Sequence, residues 1–138
     1  MIVVDSSAIV AIAFSEPRAA VIVERLLREP AGQRLVSAAN YVETGTVLAG
    51  RRHDNAGAAI DDLRDLLTTL GIRIVAVDEA QAVLALNARI RFGRGFGKPA
   101  GLNFGDAFAY ALAKALDAPL LFVGDDFAAT DIRDATTV

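Results

Sequence analysis

Four short apolar runs are spaced along the chain, at Ile2-Val3-Val4, Leu35-Val36-Ser37, residues 72–77 and residues 119–123, with segments of helical period between them. Runs that are apolar at consecutive positions need cover on both faces, which a half-wetted antiparallel sheet does not give. A small parallel sheet with helices on each side does. The chain therefore reads as α/β, a three-layer α/β/α sandwich.

The intervening segments carry their own punctuation. The first strand feeds Asp5-Ser6-Ser7 and an Ala/Ile/Val helix to Phe14, and Pro17 restarts a helix over 18–28 with Val21, Ile22, Leu26 and Leu27 at helical spacing. From Ala38 to Arg52, Ala39, Glu43, Thr46, Val47 and Gly50 share one face, which puts Glu43 on the inward stripe. Residues 57–70 repeat the amphipathic pattern through Ile60, Leu63, Leu66, Leu67 and Leu70, and Gly71 is placed to end that helix. Residues 79–92 set Val83, Leu86 and Ile90 on a face, after which Gly93, Gly95, Gly97 and Pro99 predict a loop. The helix from Asn103 to Leu116 carries charge only at Asp106 and Lys114, so it must be covered on most sides. The tail, Ile132 to Val138, is expected to add a short edge strand.

At 138 residues the chain fits a single domain, 1–138, with room for a real core, and 54% hydrophobic with 22% charged residues reads as globular. With no Cys, disulfide frameworks, thiolate zinc sites and cysteine nucleophiles are excluded together. One His, His53, gives poor support to a His-rich metal site or a Ser-His-Asp triad. The start Met1-Ile2-Val3-Val4-Asp5 has no basic region or cleavage pattern, and no apolar run approaches the ~20 residues that span a bilayer. A cytoplasmic protein with no membrane contact is expected. Net charge is −3, so attraction for a polyanion would have to come from local basic patches. The candidates are Arg51-Arg52-His53 and the stretch Arg89, Arg91, Arg94, Lys98.

Four acidic residues fall in privileged places: Asp5, Glu43, Asp106 and Asp125. In open parallel sheets the ligand site lies beyond the carboxyl ends of the strands. Asp5 and Asp125 directly follow strands, Asp106 is near a helix start, and Glu43 is about one turn into the helix after the second strand. All four can meet at that edge. Each also has a plain structural explanation: helix capping for Asp5, the margin of a stripe for Glu43, the helix dipole for Asp106, and turn chemistry for Asp125 and Asp126. Carboxylates gathered within several ångströms repel one another and stay ionised when a divalent cation neutralises them; an all-oxygen set suits Mg²⁺ or Mn²⁺. Gly93-Arg94-Gly95-Phe96-Gly97-Lys98-Pro99 fits neither G-x-G-x-x-G nor G-x-x-x-x-G-K-[ST], and it follows a helix. A basic flank contacting phosphates near the acidic site is the better reading, against a plain solvated loop.

Ile2-Val3-Val4-Asp5-Ser6-Ser7-Ala8, Tyr41-Val42-Glu43-Thr44, Ala100-Gly101-Leu102-Asn103-Phe104-Gly105-Asp106-Ala107 and Leu120-Leu121-Phe122-Val123-Gly124-Asp125-Asp126-Phe127 together resemble the PIN-domain ribonucleases, and within them the VapC-type toxins of toxin–antitoxin pairs. The resemblance runs over nearly the whole chain, and its most specific part is the Leu-Asn-Phe-Gly-Asp block followed by Gly-Asp-Asp-Phe. It implies a parallel sheet of order 3-2-1-4-5 and a Mg²⁺- or Mn²⁺-dependent endoribonuclease. Asp5 and Asp106 would be direct metal ligands, with Glu43 and Asp125 completing the acidic pocket; Asp126 is the alternative to Asp125, and Ser6 or Asn103 would steady a ligand. An RNA substrate, a small VapB-type antitoxin and a homodimer are further implications. Two rivals stand beside this reading. A phosphatase would want an Asp where Ser7 stands, and a receiver domain a Lys after its last strand, where Gly124-Asp125-Asp126 stands. A catalytically silent PIN-like interaction module would gain by losing the four charges.

Overall fold

Ile2–Val4 form β1, the centre of a parallel sheet, and none of its three side chains is exposed. The structure, a computed structural model, describes residues 1–52, 55–96 and 101–138. After β1 come α1 (Ser6–Ala13), α2 (Ala19–Leu27), β2 (Arg34–Ser37), α3 (Ala38–Gly50), α4 (Ala56–Leu70), β3 (Ile72–Val75), α5 (Glu79–Phe92), α6 (Phe104–Ala115) and β4 (Leu120–Leu121). β1 pairs in parallel with β2 on one side and β4 on the other, and β3 joins β2, giving the order β3-β2-β1-β4. Among the described residues no helix is long and apolar enough to cross a membrane.

Successive strand side chains point to opposite faces, and the core divides accordingly. Ile2, Val4, Val36 and Leu121 face one layer, packed with Ile9, Ile22, Leu26, Leu48, Leu63 and Leu67. Val3, Leu35 and Leu120 face the other, packed with Ala88, Leu102, Ala109, Tyr110, Leu112 and Phe127. Each residue of β1 and β4, with Leu35 and Val36 of β2, is thus claimed by one layer or the other, which is why the sheet's centre is continuously apolar; at its edge Arg73 and Ile74 of β3 stay exposed. The three-layer expectation holds.

The order 3-2-1-4-5 is met through its first four members. The fifth is reduced to one parallel bridge, Leu120 to Asp134, with backbone bonds from Leu120 N to Arg133 O and from Ala135 N to Leu120 O, each 2.9 Å. The tail cannot extend this pairing, because Asp134 turns it: Thr136 N and Oγ1 both donate to Asp134 Oδ1, at 2.8 and 2.7 Å. Buried Arg25 then fixes the tail by donating Nε to Ala135 O at 2.6 Å.

Three helix faces differ from their expected orientation. On α3 the buried stripe is Asn40, Thr44 and Leu48, and Glu43 lies half-buried beside it. α4 buries Ala59, Leu63, Leu67 and Leu70 but leaves Ile60 outside. On α5 the inward residues are Gln81, Ala85 and Ala88, while Val83, Leu86 and Ile90 are exposed. Small residues explain the last reversal: Ala85 meets Ala107 and Ala111 of α6, so the two helices approach too closely to admit larger chains there. α6 is covered as expected, with seven of its residues buried from Asp106 to Ala113. His53, Gly97, Lys98, Pro99 and Ala100 lie outside the described residues. Arg51 stacks over the Phe14 ring at 4.0 Å, and Arg52 pairs with Asp62, so both are engaged within the fold.

Leu63 and Ile60 share a helix but not a face. Leu63→Ala is expected to lower the unfolding free energy by about 2–5 kcal/mol. Ile60→Ala should change it by less than about 0.5 kcal/mol. Urea denaturation of the two variants measures the difference, and comparable losses would contradict the assigned face.

Candidate active site

β1 ends where its next residue must begin a helix, and Asp5 does that work with one oxygen. Its Oδ2 accepts from Ser7 N at 3.0 Å and from Ser7 Oγ at 2.6 Å, the side-chain cap of α1. Ser7 Oγ in turn accepts from Val123 N at 3.0 Å, tying the carboxylate to the segment after β4. The other oxygen, Oδ1, is buried and has no hydrogen-bond partner. Capping and ligand readings of Asp5 thus fall on different oxygens of one group.

Asp106 repeats the arrangement on the opposite wall. Asn103 caps α6 by accepting from Asp106 N at 2.8 Å, and Asp106 Oδ2 accepts from Asn103 N at 3.0 Å. The reciprocal bonds hold Asp106 at the start of the helix, next to the sheet's carboxyl edge. Glu43 comes from α3 and is positioned by two groups. Asn40, fully buried, donates Nδ2 to Gly105 O at 2.9 Å and to Glu43 Oε1 at 3.3 Å. Gly105 leaves the carboxylate its room, since a Cβ there would lie 1.9 Å from Glu43 Oε2.

Asp5, Glu43, Asp106 and Asp126 line one pocket of about 240 Å³ with Ser6, Ser7, Val10, Val47 and Asn103. Asp125 is not among them. The chain turns after β4 at Gly124, whose φ of +99° is the left-handed region, and this carries Asp125 to an exposed concavity beside Arg18 and Asp134. Asp126 is the residue that faces the pocket. Of the two residues expected to steady a ligand, Asn103 contacts Asp106, whereas Ser6 Oγ donates to the Asn40 carbonyl at 3.2 Å and Ser7 is the one bonded to Asp5. Asn40 and Gly105 were not anticipated. Gly105 left a signal, because a glycine within a helix costs about 1 kcal/mol against Ala and a close approach of another side chain is one reason to carry it.

The electrostatics follow from burial and proximity. Asp5 is raised to about 6, first by desolvation, with Ser7's bonds opposing and Glu43's charge adding to the rise. Asp106 is pushed to about 8, again first by desolvation, with the charges of Asp5 and Asp126 and a shared hydrogen bond with Asp126 adding to it. Among the described residues no three acidic or His side chains converge tightly enough to cage an ion alone. The donor set fits a hard cation of the Mg²⁺ kind nonetheless. Such an ion uses one or two carboxylates and completes its shell with water and substrate phosphate, and Asp5 Oδ1 is an anionic oxygen with no other partner. A second, more apolar concavity of about 430 Å³, with Val42, Phe104 and Phe108 in its wall, shares Glu43, Val47 and Asn103 with the acidic pocket.

The PIN domain matches this sequence over residues 2–133. The chain belongs to the PIN-domain family. Within it the relatives are VapC ribonucleases: the chain is 46% identical to ribonuclease VapC42 of Mycobacterium tuberculosis over 135 residues, 98% of this chain and 99% of that protein. It is 43% identical to ribonuclease VapC28 of the same organism over 133 residues, 96% of each. The fold is similar to that of M. tuberculosis VapC20, described as a sarcin-ricin loop cleaving toxin, with a TM-score of 0.73 at 19% identity over 96% of each chain. It is also similar to the VapBC-1 structure from nontypeable Haemophilus influenzae, with a TM-score of 0.71 at 20% identity over 99% of each chain. At those identities the structures speak for the PIN fold, and the sequence relatives place the chain with the VapC proteins.

Folding raises both Asp5 and Asp106, so the stability they contribute is full below the pKa of an unfolded aspartate and is lost as pH climbs through about 6 and about 8. In EDTA the chain is therefore expected to melt at progressively lower temperature between about pH 5 and about pH 8. Asp106→Asn keeps an oxygen for the capping box and should flatten that decline. Thermal unfolding across the range measures it, and a melting temperature that rises over the same window would overturn the assigned electrostatics.

Proposed function

We propose that this VapC-family chain is a metal-dependent endoribonuclease, the toxin of a toxin–antitoxin pair, and that Asp5 and Asp106 hold its Mg²⁺ or Mn²⁺. The observation that carries the proposal is the unpartnered, buried Oδ1 of Asp5 opposite Asp106, in a chain 46% identical to a VapC ribonuclease. When bound, the ion would supply charge neutralisation and Lewis-acid polarisation for displacement at phosphorus. The protein's part is positional. Ser7 and Asn103 orient the two aspartates, Asn40 and the space left by Gly105 orient Glu43, and Asp126 brings the fourth negative charge. Asp125, by contrast, is left outside the proposed set.

No side-chain nucleophile is needed: water attacks the phosphodiester, the 3′ oxygen leaves, and the products are a 5′-phosphate and a 3′-hydroxyl. With few aromatic side chains available, selectivity rests on how single-stranded or looped RNA fits the groove. A VapB-type antitoxin as partner is supported by two structural neighbours, the VapBC-1 structure and a toxin–antitoxin complex from Klebsiella pneumoniae with a TM-score of 0.65. A homodimer is supported by the apolar side chains left outside, Val83, Leu86 and Ile90 on α5 and Val42 and Phe104 at the open concavity. A cytoplasmic location belongs to the same proposal.

The purified chain is expected to cleave RNA with Mg²⁺ or Mn²⁺ and to stop in EDTA. Asp5→Asn or Asp106→Asn should reduce cleavage by about a thousandfold or more while leaving the circular dichroism spectrum unchanged. Gly105→Ala, which drives a methyl group into the Glu43 carboxylate, should cost about 10–100-fold. Cleavage retained by both aspartate variants would contradict the metal-ligand assignment.

A further inference from the structure

The acidic pocket has a difficulty as a site for RNA: it is lined by four carboxylates and no basic side chain, in a chain of net charge −3. A polyanion must meet a cation at its rim. Of the basic stretch that begins on α5, Arg89 gives its Nη1 to the Leu102 carbonyl and lies 5.7 Å from the Phe96 ring, and Arg91 stacks on Phe92 at 4.7 Å. Arg89 thus ties the end of α5 to Leu102, and Arg91 rests on the ring of its chain neighbour. Arg94 is different. Its Nη2 reaches Asp126 Oδ1 at 3.2 Å, and among the described residues no other Lys or Arg is paired with a carboxylate that lines the pocket.

Arg94's backbone is fixed even though its side chain projects outward. Gly93 bridges Leu102, Arg94 N donates to Leu102 O at 3.0 Å, and Leu102 N donates to Phe92 O at 3.0 Å. Gly93 must be glycine, since a Cβ would lie 1.9 Å from the Arg89 carbonyl oxygen. Leu102 is fully buried and precedes Asn103, the cap that holds Asp106. The guanidinium thus hangs from a root one residue from the machinery that positions Asp106. Its partner sits across the rim, on the segment after β4.

The pair is about half exposed, 55% for Arg94 and 40% for Asp126, so it is weakly held and readily exchanged. The two non-bridging oxygens of a phosphodiester can take the same guanidinium in a bidentate pair, where Asp126 engages it here through one oxygen. Resting on the ribonuclease reading, we propose that Arg94 is the substrate-positioning residue of this site: it leaves Asp126 to clamp a backbone phosphate of single-stranded RNA.

The test is RNA binding by the chain carrying Asp5→Asn, with Mg²⁺, read by fluorescence anisotropy of a labelled single-stranded oligoribonucleotide at several salt concentrations. Adding Arg94→Ala is expected to weaken binding by about tenfold. It should also reduce the slope of log affinity against log salt by about 0.7, one phosphate contact on a single strand. Arg94→Lys should retain that slope and recover part of the affinity. Compared in EDTA, where the acidic set's part in holding metal does not enter, Asp126→Asn separates a phosphate clamp from a merely structural ion pair, because it removes the charge from the same bridge yet should leave binding equal or tighter. Unchanged affinity and slope in Arg94→Ala, or equal weakening in Asp126→Asn, would overturn the proposal. Absence of both RNA binding here and RNA cleavage by the unsubstituted chain would instead overturn the ribonuclease reading, and this inference with it.

Discussion

Two aspartates are brought out of water at the carboxyl edge of the sheet, and the rest of the site is arranged around keeping them there. Asp5 is held by Ser7 and Asp106 by Asn103, each through one oxygen that completes a helix cap. Burial and mutual charge raise both groups, so the folded chain carries an electrostatic cost at neutral pH that a hydrophobic pair would not. Caps of this quality stabilise a helix by roughly 0.5–2 kcal/mol each, which makes the acids tolerable without relieving the repulsion. A divalent cation does relieve it, and on the proposed reading the pocket's strain is what gives the ion its affinity.

The fold was legible because its signals are redundant. Uniformly apolar strands demanded cover on both faces, and Ile2, Val3 and Val4 divide between two core layers as that demand requires. Boundaries written by capping residues, such as Gly71 in the left-handed conformation after α4, also came through. Helix faces were less legible where size and burial part company. On α5 the large residues Val83, Leu86 and Ile90 point outward and alanines point in, because the neighbouring helix sits too close for anything larger. Periodicity reports that a face exists; it does not say which of two faces a tight neighbour will select.

The site was legible in outline for a related reason. Asp5, Glu43 and Asp106 each follow from the rule that a parallel sheet gathers its loops at one edge, and they line a common pocket. The choice between Asp125 and Asp126 depends on a turn at Gly124 whose sense the sequence alone does not specify, and the turn puts Asp126 inside. Ser7, Asn40 and Gly105 were harder to see, since each acts through a contact between distant segments: Ser7 with Val123, Asn40 with Gly105, Gly105 with Glu43. Local pattern carries no record of such contacts.

If buried, partly protonated aspartates are what the ion binds, binding must displace protons. Calorimetric titration of the chain with Mn²⁺ at about pH 7, repeated in buffers of differing ionisation enthalpy, measures that number directly. Saturable binding with release of roughly one proton per ion, lost in Asp106→Asn, is the predicted result. Binding whose heat is independent of the buffer, or no binding at all, would contradict the account.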